Sequence, residues 1–224
     1  MNKKILLIAS LSMLIFFSSC LTSLHNLVTY STIATENKIT GNWQYKDYAL
    51  KIESTPASQF FKDMTTANKK ENKSNYENAE DSLLYSRSYV ISFVKKNYKY
   101  YMVCCLTRIN NELYGDIQAV TSESLNRSTA NDNNALFNTG SYINSHSIAK
   151  IILNNNEMEI RFLNGDLISS QIKNGTMAIK YERDDLFNLM LVTASPDELR
   201  QFISKYGNDK RLYSQENTVI LKKI

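Results

Sequence analysis

The sequence predicts a mainly β protein: an antiparallel eight-stranded barrel with a C-terminal α-helix and a short final strand. Three observations carry this. From Trp43 onward, apolar residues recur at every second position in one short run after another, the mark of half-buried strands. Most of these runs are joined by short Asn-, Asp- or Gly-containing turns, which makes neighbouring strands antiparallel. Late in the chain the period changes to a helical one, with Leu199, Phe202, Ile203 and Tyr206 on one face. Eight such strands can close into a barrel whose interior holds side chains or one small ligand.

Residues 1–19 read as a signal peptide. Lys3 and Lys4 make a basic start, Ile5 to Phe17 is apolar except for Ala9, Ser10 and Ser12, and small residues follow. The apolar run is short for a membrane span. Phe17-Ser18-Ser19-Cys20 resembles the bacterial lipobox, in which cleavage precedes a cysteine that is then lipidated; Phe17 stands where leucine is usual. This resemblance implies that Cys20 is the lipid attachment site and that a membrane is the partner. Loss of residues 1–19 lowers the formal charge from +4 to +2, since Lys3 and Lys4 go with them. No basic stripe remains, which argues against a nucleic-acid partner. Cys104 and Cys105 are neighbours in a strand-like run, so they point to opposite faces and pair only under strain.

Residues 20–40 are mostly Ser, Thr and Asn with scattered Leu27, Val28 and Tyr30, and read as a flexible tether with a reach of roughly 25 Å. The barrel domain then spans 41–224. Tyr48, Leu50 and Ile52 alternate with Ala49, Lys51 and Glu53, while Trp43 and Tyr45 fall in the other phase; the slip at Lys46-Asp47 requires a β-bulge or a tight turn. Residues 54–84 break the pattern and predict a mobile insertion, because Asn68 to Asp81 is too polar to offset its ordering entropy. Ala57 to Thr66 forms a short helix within it. Strands follow at Arg87–Val94 and Lys99–Ile109. In the second, Tyr100, Met102, Cys104 and Leu106 share the inward face, and Lys99, Tyr101, Val103, Cys105 and Thr107 the outward one.

Asn110-Asn111 is a hairpin turn, and Leu113 to Thr121 returns. After a polar loop at 122–139, Tyr142–Leu153 turns at Asn154-Asn155-Asn156 into a strand bearing Met158, Ile160 and Phe162. Asp166–Lys173 is a short helix stopped at Asn174-Gly175. Met177, Ile179 and Tyr181 alternate in the next strand, and Leu186–Ala194 is the eighth. Ser195, Pro196 and Glu198 then form a capping box with proline at the first helical position, and Gly207 stops the helix. Thr218–Lys222 is the final strand.

Gly41 and Trp43 at the start of the first strand, with a helix after the eighth, resemble the lipocalin (calycin) superfamily over residues 39–224. The Thr193–Leu199 run with Phe202 and Tyr206 resembles small bacterial envelope lipoproteins with lipocalin-like barrels. Residues 54–84 and the helix at 166–173 are additions to the family pattern. The resemblance implies that Trp43 is a buried plug near the closed end, and Arg200 is the nearest candidate for the family's arginine that packs on it.

No nucleophile elbow, His-x-x-x-His pair, Walker loop or paired-cysteine metal site is present. His25 lies in the tether, and His146 opens a strand within Asn144-Ser145-His146-Ser147, where a satisfied structural histidine is the expectation. The reading is non-enzymatic, with no cofactor and no metal. Tyr100, Met102, Cys104, Leu106, Met158, Ile160, Phe162, Met177 and Ile179 are expected to line the interior, a mixture that suits a small apolar or amphipathic ligand. The alternative is a filled barrel acting as a structural or protein-interaction lipoprotein through the loops at 54–84 and 122–139. Leu21, not aspartate, follows Cys20, and no acidic residue precedes Glu36. With the lipobox, these imply an outer-membrane lipid anchor in the cell envelope with the barrel facing the periplasm.

Overall fold

The computed structural model describes residues 20–63, 79–95, 97–124, 145–184 and 189–224. The expected signal peptide lies outside them. Among the described residues there are twelve strands: β1 (Thr22–Ser23), β2 (Ile33–Ala34), β3 (Gly41–Tyr45), β4 (Tyr48–Ser54), β5 (Tyr89–Lys95), β6 (Tyr98–Ile109), β7 (Glu112–Ser124), β8 (His146–Asn154), β9 (Glu157–Phe162), β10 (Tyr181–Asp184), β11 (Leu189–Val192) and β12 (Thr218–Lys223). The helices described with them include α1 (Ala79–Ser86), α2 (Gly165–Lys173) and α3 (Pro196–Tyr206).

Eight strands close an antiparallel barrel in the order β3-β4-β5-β6-β7-β8-β9-β12, with β12 pairing back onto β3 through Lys222 opposite Gln44 and Lys223 opposite Trp43. The fold class is the expected one, but the strand that completes the eight is the final one. The run expected as the eighth strand, Leu186–Ala194, pairs only over β11, with residues 185–188 outside the described set. Strands β10, β11 and β1 make a small sheet that continues from the first residues of β8 beyond the barrel. Val192 and Ala194 are fully buried there, so their apolar character serves packing outside the barrel.

The hairpins follow the turn chemistry. Tyr45 pairs with Tyr48 across Lys46-Asp47, and Lys46 adopts φ +51°, so the phase slip is a tight turn. Asn110 and Asn111 take φ +50° and +66°, the left-handed region that asparagine tolerates. The Asn164 side chain accepts from Leu167 N–H to cap α2, which ends at Asn174 and a left-handed Gly175. Helix α3 carries the full capping box: Glu198 N–H donates to Ser195 Oγ, and Ser195 N–H donates to Glu198 Oε2 at 2.8 Å. Gly207 caps the end of α3 where a side chain does not fit, since a Cβ there would lie 2.5 Å from both the Ile203 carbonyl and the Tyr114 hydroxyl.

Two cores result. One fills the barrel around Trp43, Leu106 and Met158. The other lies outside it, where Leu199, Phe202 and Ile203 of α3 and Ile168 of α2 pack on Tyr114 and Ile148 of the wall. The expected tether belongs to this second core. Leu21, Leu27 and Val28 are buried, and β1 and β2 add to β8 and β6. Leu27 N–H donates to Asp116 Oδ2 at 2.6 Å, Thr107 Oγ1 donates to the Thr32 carbonyl, and Glu36 N–H donates to the Tyr89 hydroxyl. Residues 21–39 are therefore a packed strap. A strap wrapped over a curved wall buries apolar residues at irregular spacing, and no period reveals it.

The expected insertion at 54–84 is likewise partly packed. Thr55 is buried with its hydroxyl 2.7 Å from that of Ser88, and Phe60, in a helical turn at 59–63, stacks on Tyr101 at 4.1 Å. Residues 64–78, with most of the polar Asn68–Asp81 run, lie outside the described set, as do residues 125–144 of the second polar loop and the start of the strand expected from Tyr142. Because strap and turn cover the wall, Tyr101 and Thr107 are buried on the face expected to be outward. Among the described residues no helix is long and apolar enough to cross a membrane.

Candidate functional site

The interior is filled along most of its length. Trp43 is 1% exposed and donates its indole N–H to the Ile39 carbonyl at 2.8 Å. Ile39 closes a 3₁₀ turn at Asn37–Ile39 that inserts it into the barrel core. The cation over the Trp43 ring is Lys223, 5.4 Å from the centroid, and comes from the closing strand. Arg200, the nearest candidate from sequence, instead donates to Thr107 Oγ1 at 2.8 Å and pins α3 to the wall. Deeper in, the packing around Gly115 is close: a Cβ there would lie 2.8 Å from Ile151 Cδ1, whose side chain would have to shift, and 3.3 Å from Cys104 Sγ.

Of the nine residues expected to line the interior, Cys104, Leu106, Met158 and Ile160 are buried within the barrel core, and Met102 and Phe162 pack against it while partly exposed. Tyr100 lies nearer the β5–β6 turn. Met177 and Ile179 are not interior residues. The stretch from Met177 to Lys180 is not a strand; it follows α2 across the second core, where Met177 is buried. Their alternation arises from a chain passing over a packed surface.

One end of the barrel differs from the rest. The turn at Lys46-Asp47 lies beside the end of β5 and the start of β6, because β4 and β5 are paired. In phase with the interior residues Trp43, Ile52, Ile91 and Met102 stand Tyr45, Tyr48, Phe93, Tyr98 and Tyr100, all partly exposed or more. Phe93 and Tyr100, directly opposite across β5 and β6, stack with centroids 5.1 Å apart and planes 14° apart. Lys46 Nζ lies 5.2 Å from the Tyr45 centroid and Lys95 Nζ 5.9 Å from that of Tyr48. This aromatic mouth was only partly legible, through Tyr100. The missing signal is pairing: Tyr45, Tyr48, Phe93 and Tyr98 come together only once the two hairpins are set in register.

Elsewhere, buried polar groups among the described residues tie segments of the fold together. His146 Nδ1 lies 2.7 Å from Oδ1 of the buried Asp116, whose other oxygen holds the strap through Leu27 N–H. Both strand thiols are free and face opposite cores. Burial raises the Cys104 thiol well above its usual range; it pushes Cys105 up to about 12, with the Asp116 charge adding to the shift. Neither is a thiolate near neutrality. Cys20 is paired by a β-bridge to Asn164, and burial raises its thiol too. Among the described residues no three His, Cys, Asp or Glu side chains gather in a way that would hold a metal ion. No family model, curated protein or solved structure matches this chain.

Proposed function

We propose that the chain is a non-enzymatic, lipid-anchored protein of the bacterial envelope whose barrel receives a small apolar or amphipathic ligand at its aromatic mouth. The carrying observation is the contrast between a filled interior and five partly exposed rings in phase with it at one end. Burying such rings against a guest removes much apolar area from water, which is the main source of affinity in pockets of this kind. The lipocalin-like reading is supported by Gly41 and Trp43 on the first barrel strand and by the cation over the tryptophan. The closing strand after α3 departs from it. The anchor reading rests on the lipobox-like run before Cys20, and the placement at the outer membrane, facing the periplasm, rests on Leu21.

Native mass spectrometry of protein extracted from its own membrane tests both parts. A diacyl or triacyl mass on the Cys20 peptide and a second, dissociable small-molecule mass on the intact chain are expected. Cys20→Ser should move the protein to the soluble fraction; a mutant that survives alkaline washing on the membrane sinks the anchor. The packed interior favours a second reading, a filled barrel serving as scaffold for protein contacts, and an intact chain that never carries a small molecule would support it.

A further inference from the structure

We infer that the mouth selects a compact, ring-bodied anion and discriminates against long acyl chains and cations. This rests on the ligand-binding reading above and adds the chemical class. Three observations carry it.

The first is depth. Below the mouth the partly exposed Leu50 and Met102 pack against the barrel core, Ile52 and Ile91 are 3% and 5% exposed, and Trp43, at 1%, plugs the far end. A guest therefore has ring faces to lie against but no shaft to thread. In a deep apolar shaft each further methylene would tighten binding about fourfold. Here added chain would stay in water.

The second is the shape of the surface. Tyr45, Tyr48, Phe93, Tyr98 and Tyr100 come from four consecutive strands of a curved wall, so they present rings and ring edges around a shallow bowl. Tyr98 and Tyr100 stand at 6.5 Å with a tilt of 52°, and Phe93 and Tyr100 are nearly parallel. Flat or ring-shaped bodies match such surfaces by offset stacking and edge contacts.

The third is charge. Clustered aromatic faces ordinarily attract cations. Here Lys46 and Lys95 already lie over two of the rings, so a cationic guest meets like charge in the places it would occupy. A guest with one carboxylate, sulfonate or phosphate is drawn to the same two ammonium groups. Asp47, between the two hairpin strands, lies next to Lys46 and sets a limit on the positive potential, which suits a monoanion better than a multiply charged one.

The test uses the full mature chain and three probes. 1-Anilinonaphthalene-8-sulfonate is the ring-bodied anion, N-phenyl-1-naphthylamine its neutral counterpart, and a straight-chain fatty acid series from octanoate to palmitate reports depth by displacement. Energy transfer from Trp43, the single tryptophan, confines the signal to probe near the barrel. Saturable binding of the sulfonate is expected, tighter than that of the neutral probe and weakened by salt. Lys46→Gln with Lys95→Gln should weaken the sulfonate about five- to tenfold, on the scale of charge–ring and exposed ionic contacts. The neutral probe should be unaffected by that pair. Tyr100→Ala should weaken both probes, and all variants sit at exposed or partly exposed positions where thermal unfolding can verify an intact barrel.

Equal affinity for the two ring probes, or a sulfonate indifferent to the lysine pair, overturns the anionic class. Displacement that tightens several-fold with each added methylene overturns the compact class. A retained small-molecule mass that the sulfonate does not displace would leave the ligand-binding reading standing and remove this inference. Absence of both a retained mass and any probe binding would remove the two together.

Discussion

Leu27→Ala decides whether residues 20–40 are a tether or part of the fold. Leu27 is fully buried among second-core residues, and its backbone N–H donates to buried Asp116. Truncating a fully buried leucine costs about 2–5 kcal/mol, depending on how far the surroundings collapse. Leu27 sits among second-core residues against the barrel wall, which other contacts hold, and this places the loss toward the middle of that range. With a urea dependence of about 3 kcal/mol per molar for a chain of this size, the midpoint should fall by about 1 M. Leu24→Ala is the internal control, because Leu24 is 36% exposed and an exposed substitution stays within about 0.5 kcal/mol. Asp116→Asn should act in the same direction by about 1.5–3 kcal/mol, as it replaces a carboxylate bonded to both the strap and His146. The assay is urea unfolding followed by Trp43 fluorescence and by far-ultraviolet circular dichroism, whose transitions should coincide. A Leu27→Ala midpoint equal to that of Leu24→Ala and of the parent would mean that the strap contributes nothing and hangs free.

Trp43→Ala should cost about 3–5 kcal/mol in the same assay read by circular dichroism, whereas Trp43→Phe should lose mainly the bond to Ile39, about 1 kcal/mol. Ser195→Ala should lower stability by about 0.5–2 kcal/mol through loss of the cap. Glu198, hydrogen-bonded first by Lys180 and then by Ser195, is held down to about 2 from 4.5, so its contribution is complete above pH 4.5 and lost as pH falls through 2; Glu198→Gln should flatten stability against pH in that window only. Deleting residues 218–224 should leave β3 and β9 with open edges and give aggregates by size-exclusion chromatography; a folded monomer would show that β12 does not close the barrel.

Features set by neighbours in sequence were legible, and features set by long-range pairing were not. The Asn110-Asn111 hairpin, both caps of α3 and the inward phase of Met102, Cys104 and Leu106 follow from local turn chemistry and a period of two. The strap escaped because its buried residues, Leu21, Leu27, Val28, Ile33 and Ile39, touch the wall at intervals of neither two nor three to four. Thr107 reads as an outward polar residue until Thr32 and Arg200 arrive to bond it from segments 75 and 93 residues away. Met177 and Ile179 alternate like strand residues, yet a bystander segment crossing a core alternates as well. For the site, the sequence offered the correct phase of β6 and so reached Tyr100, but Tyr48 and Lys95 become neighbours only across the β4–β5 pairing.

The two cores together determine where function can reside. At the Asn37–Ile39 turn the barrel is plugged by Ile39 and Trp43, and further in a methyl group at Gly115 would displace the Ile151 side chain. The outer faces of β6, β7 and β8 are taken up by the strap, α2 and α3, and part of the wall at β5 and β6 by residues 55–63. Among the described residues, partly exposed aromatic rings in phase with the interior gather at the remaining end. Wrapping the wall also removes the freedom expected of the N-terminal segment: Cys20 is paired to Asn164 beside the start of α2. If Cys20 carries lipid, that pairing holds the barrel close to the bilayer in one orientation, without the roughly 25 Å of slack a flexible tether would give. On the proposed reading, the packing that fills the barrel core among the described residues would give the chain a fixed stance and an aromatic face from which to meet a ligand.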